Sequence, residues 1–489
     1  MKRLSRDALS ALPASVATPR YAPAAVTTGI VHLGIGAFHR AHQAVVIDDR
    51  LNAGETSWGI VGASLRSPDT RDALGPQDGL YTLAVRSAGP PQYRVIGSIS
   101  EVLVAPEDPE ALLRRLSDPA VRIVSLTVTE KGYCHDPASG TLNEDHPDVR
   151  HDLTSAVPRS APGYLVEALA RRRKAGARPF TVLCCDNLPS NGETVKRVLT
   201  RFAELRDPDL GRWLADALAC PSTMVDRIVP ATTDEDRAQV AQALGTIDAW
   251  PVMAEPFWQW VVEDHFPTGR PDLAASGVEL VRDVAPYELM KLRLLNGSHS
   301  TLAYLGYLAG HETIADAVGR NVLRKVVSRL MEEATITLKP LPGFDLDAYK
   351  ASLLDRFANP ALRHRTWQIA MDGSQKLPPR LVAISRDRLA RGLPVGVAAL
   401  GIAAWMRYVA GPDEAGRAID LRDPMAERLK ALAAGAAGDP AKLAKALLGV
   451  EAIFGADLAA DPRFSADVVR HLAALLEQGA EKTAEMALG

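Results

Sequence analysis

The chain has 489 residues, 47% of them hydrophobic, and a formal net charge of −3. That is length enough for two domains with full cores. Without a basic excess, neither nucleic acid nor a membrane surface is an expected partner.

The four cysteines, Cys134, Cys184, Cys185 and Cys220, form no CxxC or Cys/His ligand spacing. They read as reduced thiols of a cytoplasmic protein. Lys2, Arg3 and Arg6 open the chain, but Asp7 and Pro13 interrupt any apolar stretch, so no secretory signal is expected. The longest apolar run, from Val397 to Met406, is too short to span a bilayer and stops at Arg407.

Residues 1–24 are polar and proline-containing and read as a surface segment. Gly29–Leu33 reads as a buried strand that runs into Gly34-Ile35-Gly36, with helix following through Asp49. Further β-like runs lie at Trp58–Ser64, Tyr81–Val85, Tyr93–Ile99, Val121–Val128, Phe180–Cys185 and Met224–Val229. Helical patterns such as Pro109–Ser117 and Tyr164–Lys174 separate them. Alternating strands and helices predict a Rossmann-like, doubly wound α/β sheet. From about Pro286 the strands give way to helices. These are Tyr287–Leu308, Ile314–Lys339, Leu346–Phe357, Arg363–Met371, Leu377–Gly392, Val395–Ala410, Met425–Ala434, Pro440–Leu448 and Ser465–Gln478. The expected organisation is a dinucleotide-binding domain over 1–283 and an all-helical substrate and catalytic domain over 284–489.

The strand–Gly34-x-Gly36–helix junction has the form of a dinucleotide site, where glycines let the backbone approach a pyrophosphate. The third fingerprint position, usually Gly or Ala, is His39, and a plain tight turn is the alternative. Past the second strand, Leu65-Arg66-Ser67-Pro68-Asp69 offers both an acid for a ribose 2′-hydroxyl and an arginine for a 2′-phosphate. NAD and NADP therefore both stay open. Asn187 follows the apolar run ending Cys184-Cys185, where ligands gather in open α/β sheets, although taken alone it reads as a turn residue. Asp226 interrupts another apolar run, either orienting a catalytic group or pairing with a base such as Arg227.

The segment Glu288 to His299 concentrates the chemistry. At about 100° per residue, Lys291, Asn296, His299 and Glu288 fall near roughly 0°, 140°, 80° and 60° on a helix. One arc then offers an amine, an amide and an imidazole, a set that can move a proton while holding an oxygen. Leu292 and Leu295 share the arc, so a core face with a buried histidine is the alternative. With no HExxH, Cys/His cluster or carboxylate cage in the chain, no catalytic metal is expected.

The block Gly34-Ile-Gly-Ala-Phe38-His39-Arg40-Ala-His42-Gln43 resembles the N-terminal signature of the polyol-specific long-chain dehydrogenases, the mannitol dehydrogenase family. Cys185-Asp-Asn187, Met224-Val-Asp-Arg-Ile228 and Glu255-Pro-Phe-Trp-Gln-Trp260 resemble it too, and Lys291-x4-Asn296-x2-His299 is similar to the family's catalytic signature. The motifs follow family order along nearly the whole chain, and His39 is normal in that family. The resemblance implies a zinc-independent, NAD-linked oxidation of a secondary alcohol by a monomer. It implies Lys291 as general base in oxidation and acid in reduction, Asn187 and Asn296 as the oxyanion hole, and His299 as a substrate holder. Glu288 and Asp226 would belong to the proton path. Gly34, Ile35, Gly36, Ala37, Phe38, His39 and Arg40 would contact the cofactor. A free lysine titrates near about 10.4, so such a base needs burial or neighbouring positive charge to work near neutrality.

Within the family, three stretches resemble the fructuronate reductase (D-mannonate oxidoreductase) branch: Thr129 to Cys134, Tyr304 to Tyr307 and Leu362 to Pro378. Asn187-Leu-Pro-Ser-Asn191 is closer to the mannitol branch. A mannonate carboxylate calls for extra cationic or amide donors, for which Lys131, Arg363, Arg365, Gln375 and Lys376 are available. Lys131 and Lys376 read equally as solvated surface charges. The resulting expectation is interconversion of D-mannonate and D-fructuronate. The alternatives are a mannitol, arabinitol or related polyol as substrate and, remotely, a catalytically silent NAD(H)-binding sensor.

Overall fold

The computed structural model describes residues 1–136 and 139–489. The chain divides into two compact units, Met1–Val284 and Ala285–Gly489.

The first unit is built on a parallel sheet of five strands: β1 (Thr28–Leu33), β2 (Gly59–Ser64), β3 (Ile99–Val104), β4 (Ile123–Leu126) and β5 (Thr181–Cys184). Their order in the sheet is β3-β2-β1-β4-β5, the Rossmann-like arrangement, with the order reversing between β1 and β4. In register, Val31 lies beside Val61 and Val124, and Leu126 beside Cys184. Both faces are covered, which is why these strands read as nearly continuous apolar runs. Val31 and Leu33 pack into one core with Leu112, Leu165, Leu169 and Phe202 from helices Pro109–Ser117, Ala161–Lys174 and Asn191–Arg206. Ile30 and Ile60 pack into the other with Val46 and Ile47 of helix Gln43–Asn52. Helix Pro109–Ser117 starts where the Asp108 carboxylate accepts from the Ala111 N–H, with proline at its first position.

The run read as one strand over Tyr93–Ile99 is two strands in different sheets, Gln92–Ile96 and β3. The break falls at Gly97, whose N–H donates to the Asp48 carboxylate at 3.0 Å. Strand Thr223–Asp226 pairs antiparallel with Gln259–Glu263 in a separate sheet and forms no ladder with β5. Buried Asn191 ties the two together: its amide donates to the Cys184 and Thr223 carbonyls at 3.2 and 2.9 Å and accepts from the Thr223 N–H at 2.9 Å.

Among its described residues the second unit contains helices and no named strand. Helices Gly297–Leu308 and Val397–Ala410 form its centre, apolar on nearly all sides. Three helices expected to be continuous are not, Ile314–Lys339 among them, which breaks at extended Arg320 into Ile314–Gly319 and Asn321–Thr335. Tyr287–Leu308 resolves into Ala285–Met290, a π-helical turn over Lys291–Asn296, and Gly297–Leu308. Leu377–Gly392 is a second such case, with α-helix Gly373–Leu377, a π turn over Pro378–Val382, and Ala383–Ala390. Pro378 and Pro379 explain the second, because prolines lack the N–H that an α-helical ladder needs. No helix among the described residues is long and apolar enough to cross a membrane.

Candidate active site

Sites for a small molecule arise in each unit, and each is built differently. In the first unit the chain leaves β1 through Gly34, with φ at +89°. A Cβ there would lie 2.3 Å from the Thr127 carbonyl oxygen, so the turn after β1 and the end of β4 can approach this closely only with glycine. Gly36 is exposed, and a Cβ on it would meet nothing nearer than the Gly34 oxygen at 3.8 Å. A bare, exposed stretch of backbone thus stands at the carboxyl end of β1, beside the reversal in strand order. It suits the close approach of a pyrophosphate. Ile35 is buried against Gly62 of β2, while Ala37 and Phe38 are half-buried.

His39 and Arg40, expected to contact a cofactor, have buried side chains. His39 is fully buried, stacked on His32 with ring centroids 3.4 Å apart. His32 in turn contacts the Ser125 and Thr127 hydroxyls at 2.8 and 2.9 Å. Burial lowers the His32 pKa to about 3 and holds that of His39 well below the usual histidine range, so the pair is neutral. Arg40 is buried as well, donating to the Trp250 carbonyl, with its guanidinium 5.2 Å from the Tyr81 ring centroid. The physical reason is the same for both: each side chain, on the short helix Ala37–Ala41, is buried in the core.

Asn187 is exposed, just past the end of β5. Its neighbour Asp186 accepts from the Val128 N–H at 2.9 Å and the Tyr133 hydroxyl at 2.7 Å, and burial raises its pKa. Tyr133 therefore anchors the Thr129–Cys134 segment, while Lys131 in the same turn is exposed. Asp226 is buried at the end of its strand, opposite Gln259. Past Leu65, Arg66 and Asp69 are both exposed, and Asp69 accepts from the Ser67 hydroxyl at 2.9 Å.

In the second unit, Lys291 and Asn296 are the first and last residues of the π turn. In an α-helix they would stand roughly 140° apart. A π turn closes over i→i+5, so residues five apart come to lie nearly one above the other. The Gly297 N–H bonds to the Leu292 carbonyl five residues back, as this geometry requires. His299 follows three residues later on the regular helix, close to the same line. The arc that holds the amine, the amide and the imidazole is thus narrower than a regular helix allows. The turn is braced by buried Arg293, which donates to the Thr337 carbonyl at 3.0 Å and the Asp387 carboxylate at 2.6 Å. Lys291 and His299 are each 8% exposed, and Asn296 and Glu288 are half-buried.

The His299 ring stands 4.7 Å from that of His364 and 5.2 Å from Phe357, centroid to centroid. Its Nε2 is buried with no hydrogen-bond partner among the described residues. Burial, with His364, Arg380, Arg356 and Lys376 nearby, holds its pKa well below the usual histidine range. A neutral imidazole with a spare nitrogen is equipped to bond a hydroxyl.

The residues expected to recognise a carboxylate differ in placement, Lys376 acting on both the His299 and His364 rings. Arg365 is exposed and lies 3.6 Å from Glu312. Gln375 is exposed. The Lys376 amine donates to the Ile369 carbonyl at 3.2 Å. Two basic residues not singled out from the sequence, Arg356 and Arg380, also act on His299. The Pro378-Pro379 pair before Arg380 was the available signal, since it forces a helical irregularity. Asn191, which ties Cys184 to Thr223, carried no local signal beyond its place after an apolar run.

Among the described residues, no group of three or more His, Cys, Asp or Glu side chains could hold a metal ion. Residues 28–275 match the mannitol dehydrogenase Rossmann domain, and residues 283–476 match the mannitol dehydrogenase C-terminal domain. The chain is 47% identical to D-mannonate oxidoreductase of Escherichia coli over 96% of its own length and 97% of the relative's. It is 41% identical to a mannitol dehydrogenase of Saccharomyces cerevisiae, over 97% and 95% of the two chains. Among solved structures it resembles Pseudomonas fluorescens mannitol 2-dehydrogenase, in a ternary complex with NAD and D-mannitol. The TM-score is 0.88 at 40% identity, and 99% of each chain is covered. The chain is therefore an oxidoreductase that belongs to the mannitol dehydrogenase family.

Proposed function

We propose that the protein interconverts D-mannonate and D-fructuronate with NAD, by metal-independent oxidation and reduction of a secondary alcohol. The observation that supports the chemistry is the π turn over Lys291–Asn296, whose i→i+5 winding narrows the angle between residues at this spacing, with Lys291 and His299 both buried. Support for the substrate comes from the 47% identity to D-mannonate oxidoreductase. Support for NAD comes from the bare glycine turn after β1 and from the NAD bound in the related mannitol 2-dehydrogenase.

NAD accepts hydride from the carbinol carbon in oxidation, and NADH returns it in reduction. Lys291 takes the hydroxyl proton in the first direction and gives it back in the second. The Asn296 amide donates to the oxygen as its negative charge develops. Neutral His299 bonds a substrate hydroxyl through its spare Nε2. Asn187 as a further amide donor, and Asp226 and Glu288 as carboxylates of the proton path, are proposed on the sequence resemblance. Lys131 and Lys376 are proposed substrate contacts on the same ground. The small-molecule partner is a sugar acid, and the expected compartment is the cytoplasm.

A second reading has its own support. Mannitol dehydrogenases are also close relatives, and the solved one holds D-mannitol, so a neutral polyol is the alternative substrate. A panel of D-fructuronate, D-fructose and the corresponding alcohols, with NADH, NADPH and their oxidised forms, separates the two. The sugar-acid reading expects D-fructuronate with NADH to give the highest kcat/KM. An equal or higher value with D-fructose favours the polyol, and binding of NADH without turnover of any substrate favours the silent sensor.

A further inference from the structure

The second π turn carries Arg380, whose guanidinium donates to the Ser300 hydroxyl at 2.9 Å and lies 3.5 Å from the Asn296 carbonyl. Both acceptors are uncharged, and no carboxylate pairs with Arg380 among the described residues. A largely desolvated guanidinium without an acid is costly unless something anionic completes it. Arg380 is still half-buried and so reachable from solvent, with most of its five N–H donors left for another ligand.

Its surroundings point the same way. Among the described residues, His299 Nε2 and His364 Nδ1 are buried without hydrogen-bond partners. Besides burial, the groups acting most strongly on His299 are His364, Arg380, Arg356 and Lys376. Burial lowers the Arg380 pKa to about 10, which leaves it charged at neutral pH. Such a cluster repels cations, tolerates neutral hydroxyls and attracts a carboxylate. By contrast, Arg365 is exposed and already faces Glu312.

We propose that Arg380 receives the carboxylate of the substrate in its guanidinium fork, and so separates sugar acids from neutral ketoses. The inference rests on the sugar-acid reading above, and deepens it by naming the residue that discriminates. Arg380 also touches the turn that presents Asn296, so the carboxylate and the reacting oxygen would be held by one connected group of side chains.

The test is steady-state reduction of D-fructuronate and D-fructose by the wild type, Arg380→Met and Arg380→Lys, with NADH binding followed by fluorescence. In Arg380→Met the KM for D-fructuronate should rise about 10- to 100-fold with kcat nearly kept, while the KM for D-fructose stays within a few-fold. Arg380→Lys, which keeps the charge and loses the fork, should fall between. If Arg380→Met does not fold, a drop in the D-fructuronate to D-fructose ratio must still appear in Arg380→Lys, smaller than that expected of Arg380→Met. Equal losses on both substrates would overturn the inference and leave Arg380 as a brace for the Asn296 turn. So would a loss of discrimination in Arg365→Ala with none in Arg380→Lys. A wild type that does not prefer D-fructuronate fails the sugar-acid reading itself, before any variant is measured.

Discussion

The glycine turn of the first unit and the π turn of the second solve opposite problems. At Gly34 and Gly36 the chain removes side chains so that backbone can come close to backbone and to a ligand. The side chains that follow, His39 and Arg40, are buried in the core. At Lys291–Asn296 the helix is widened so that side chains five residues apart share one line. One region works through absence of atoms, the other through their placement. Damage to the first should show in binding, and damage to the second in turnover.

The largest effect should come from Gly34→Ala. A methyl group 2.3 Å from the Thr127 oxygen, on a residue with φ of +89°, cannot be accommodated without moving the end of β4. A loss of about 3 kcal/mol of stability is expected, with loss of NADH binding. Gly36→Ala has open space around its new methyl, so it should fold normally and weaken NADH alone. Chemical denaturation and NADH fluorescence titration read both, and the comparison fails if Gly36→Ala is the less stable variant.

Insertion of one alanine after Leu292 should lengthen the turn by a residue and swing Asn296 and His299 by about 100° relative to Lys291. Turnover is expected to fall by roughly 100-fold or more, with helix content and NADH affinity kept. Circular dichroism with steady-state kinetics checks this, and retained turnover would show that the π turn has no part in aligning the residues. Arg293→Met tests the same turn through its brace. It removes the contacts to Thr337 and Asp387 and should cost about 2 kcal/mol, measured by urea unfolding.

The smallest effect expected is a pH trend. Burial lowers His32 to about 3, His364 to about 4 and His471 to about 4. In the unfolded chain these groups take up protons below about pH 6.5, while the folded chain does not until the lowered values are reached. Stability is therefore fully present above about pH 6.5 and declines as pH falls toward 4 and then 3. Melting temperatures at pH 8 and pH 5 should differ in that direction, and the opposite order would contradict neutral buried histidines.

Much of the sheet was legible because both its faces are covered. Val31, Leu33, Val61 and Val124 sit in apolar runs that have no other economical reading. The break at Gly97 was not legible, because it depends on a contact to Asp48, far away in sequence. The grouping of Lys291, Asn296 and His299 was visible as residue types at a spacing, yet the angle between them was not. A 3.6-residue period assumes the regular helix that the π turn replaces. Arg380 escaped for a related reason. Its partners Asn296 and Ser300 lie some eighty positions earlier, as the separations of 84 and 80 show. Arg365, more conspicuous in sequence, proved exposed and faces Glu312.

The most direct measurement is a single-turnover comparison of the wild type and Lys291→Ala, with NADH binding titrated in parallel. The buried amine at the head of the π turn is the proposed proton carrier, so its loss should slow hydride transfer about 1,000-fold or more. NADH affinity should stay within a few-fold. A Lys291→Ala protein that transfers hydride at the wild-type rate would contradict that assignment.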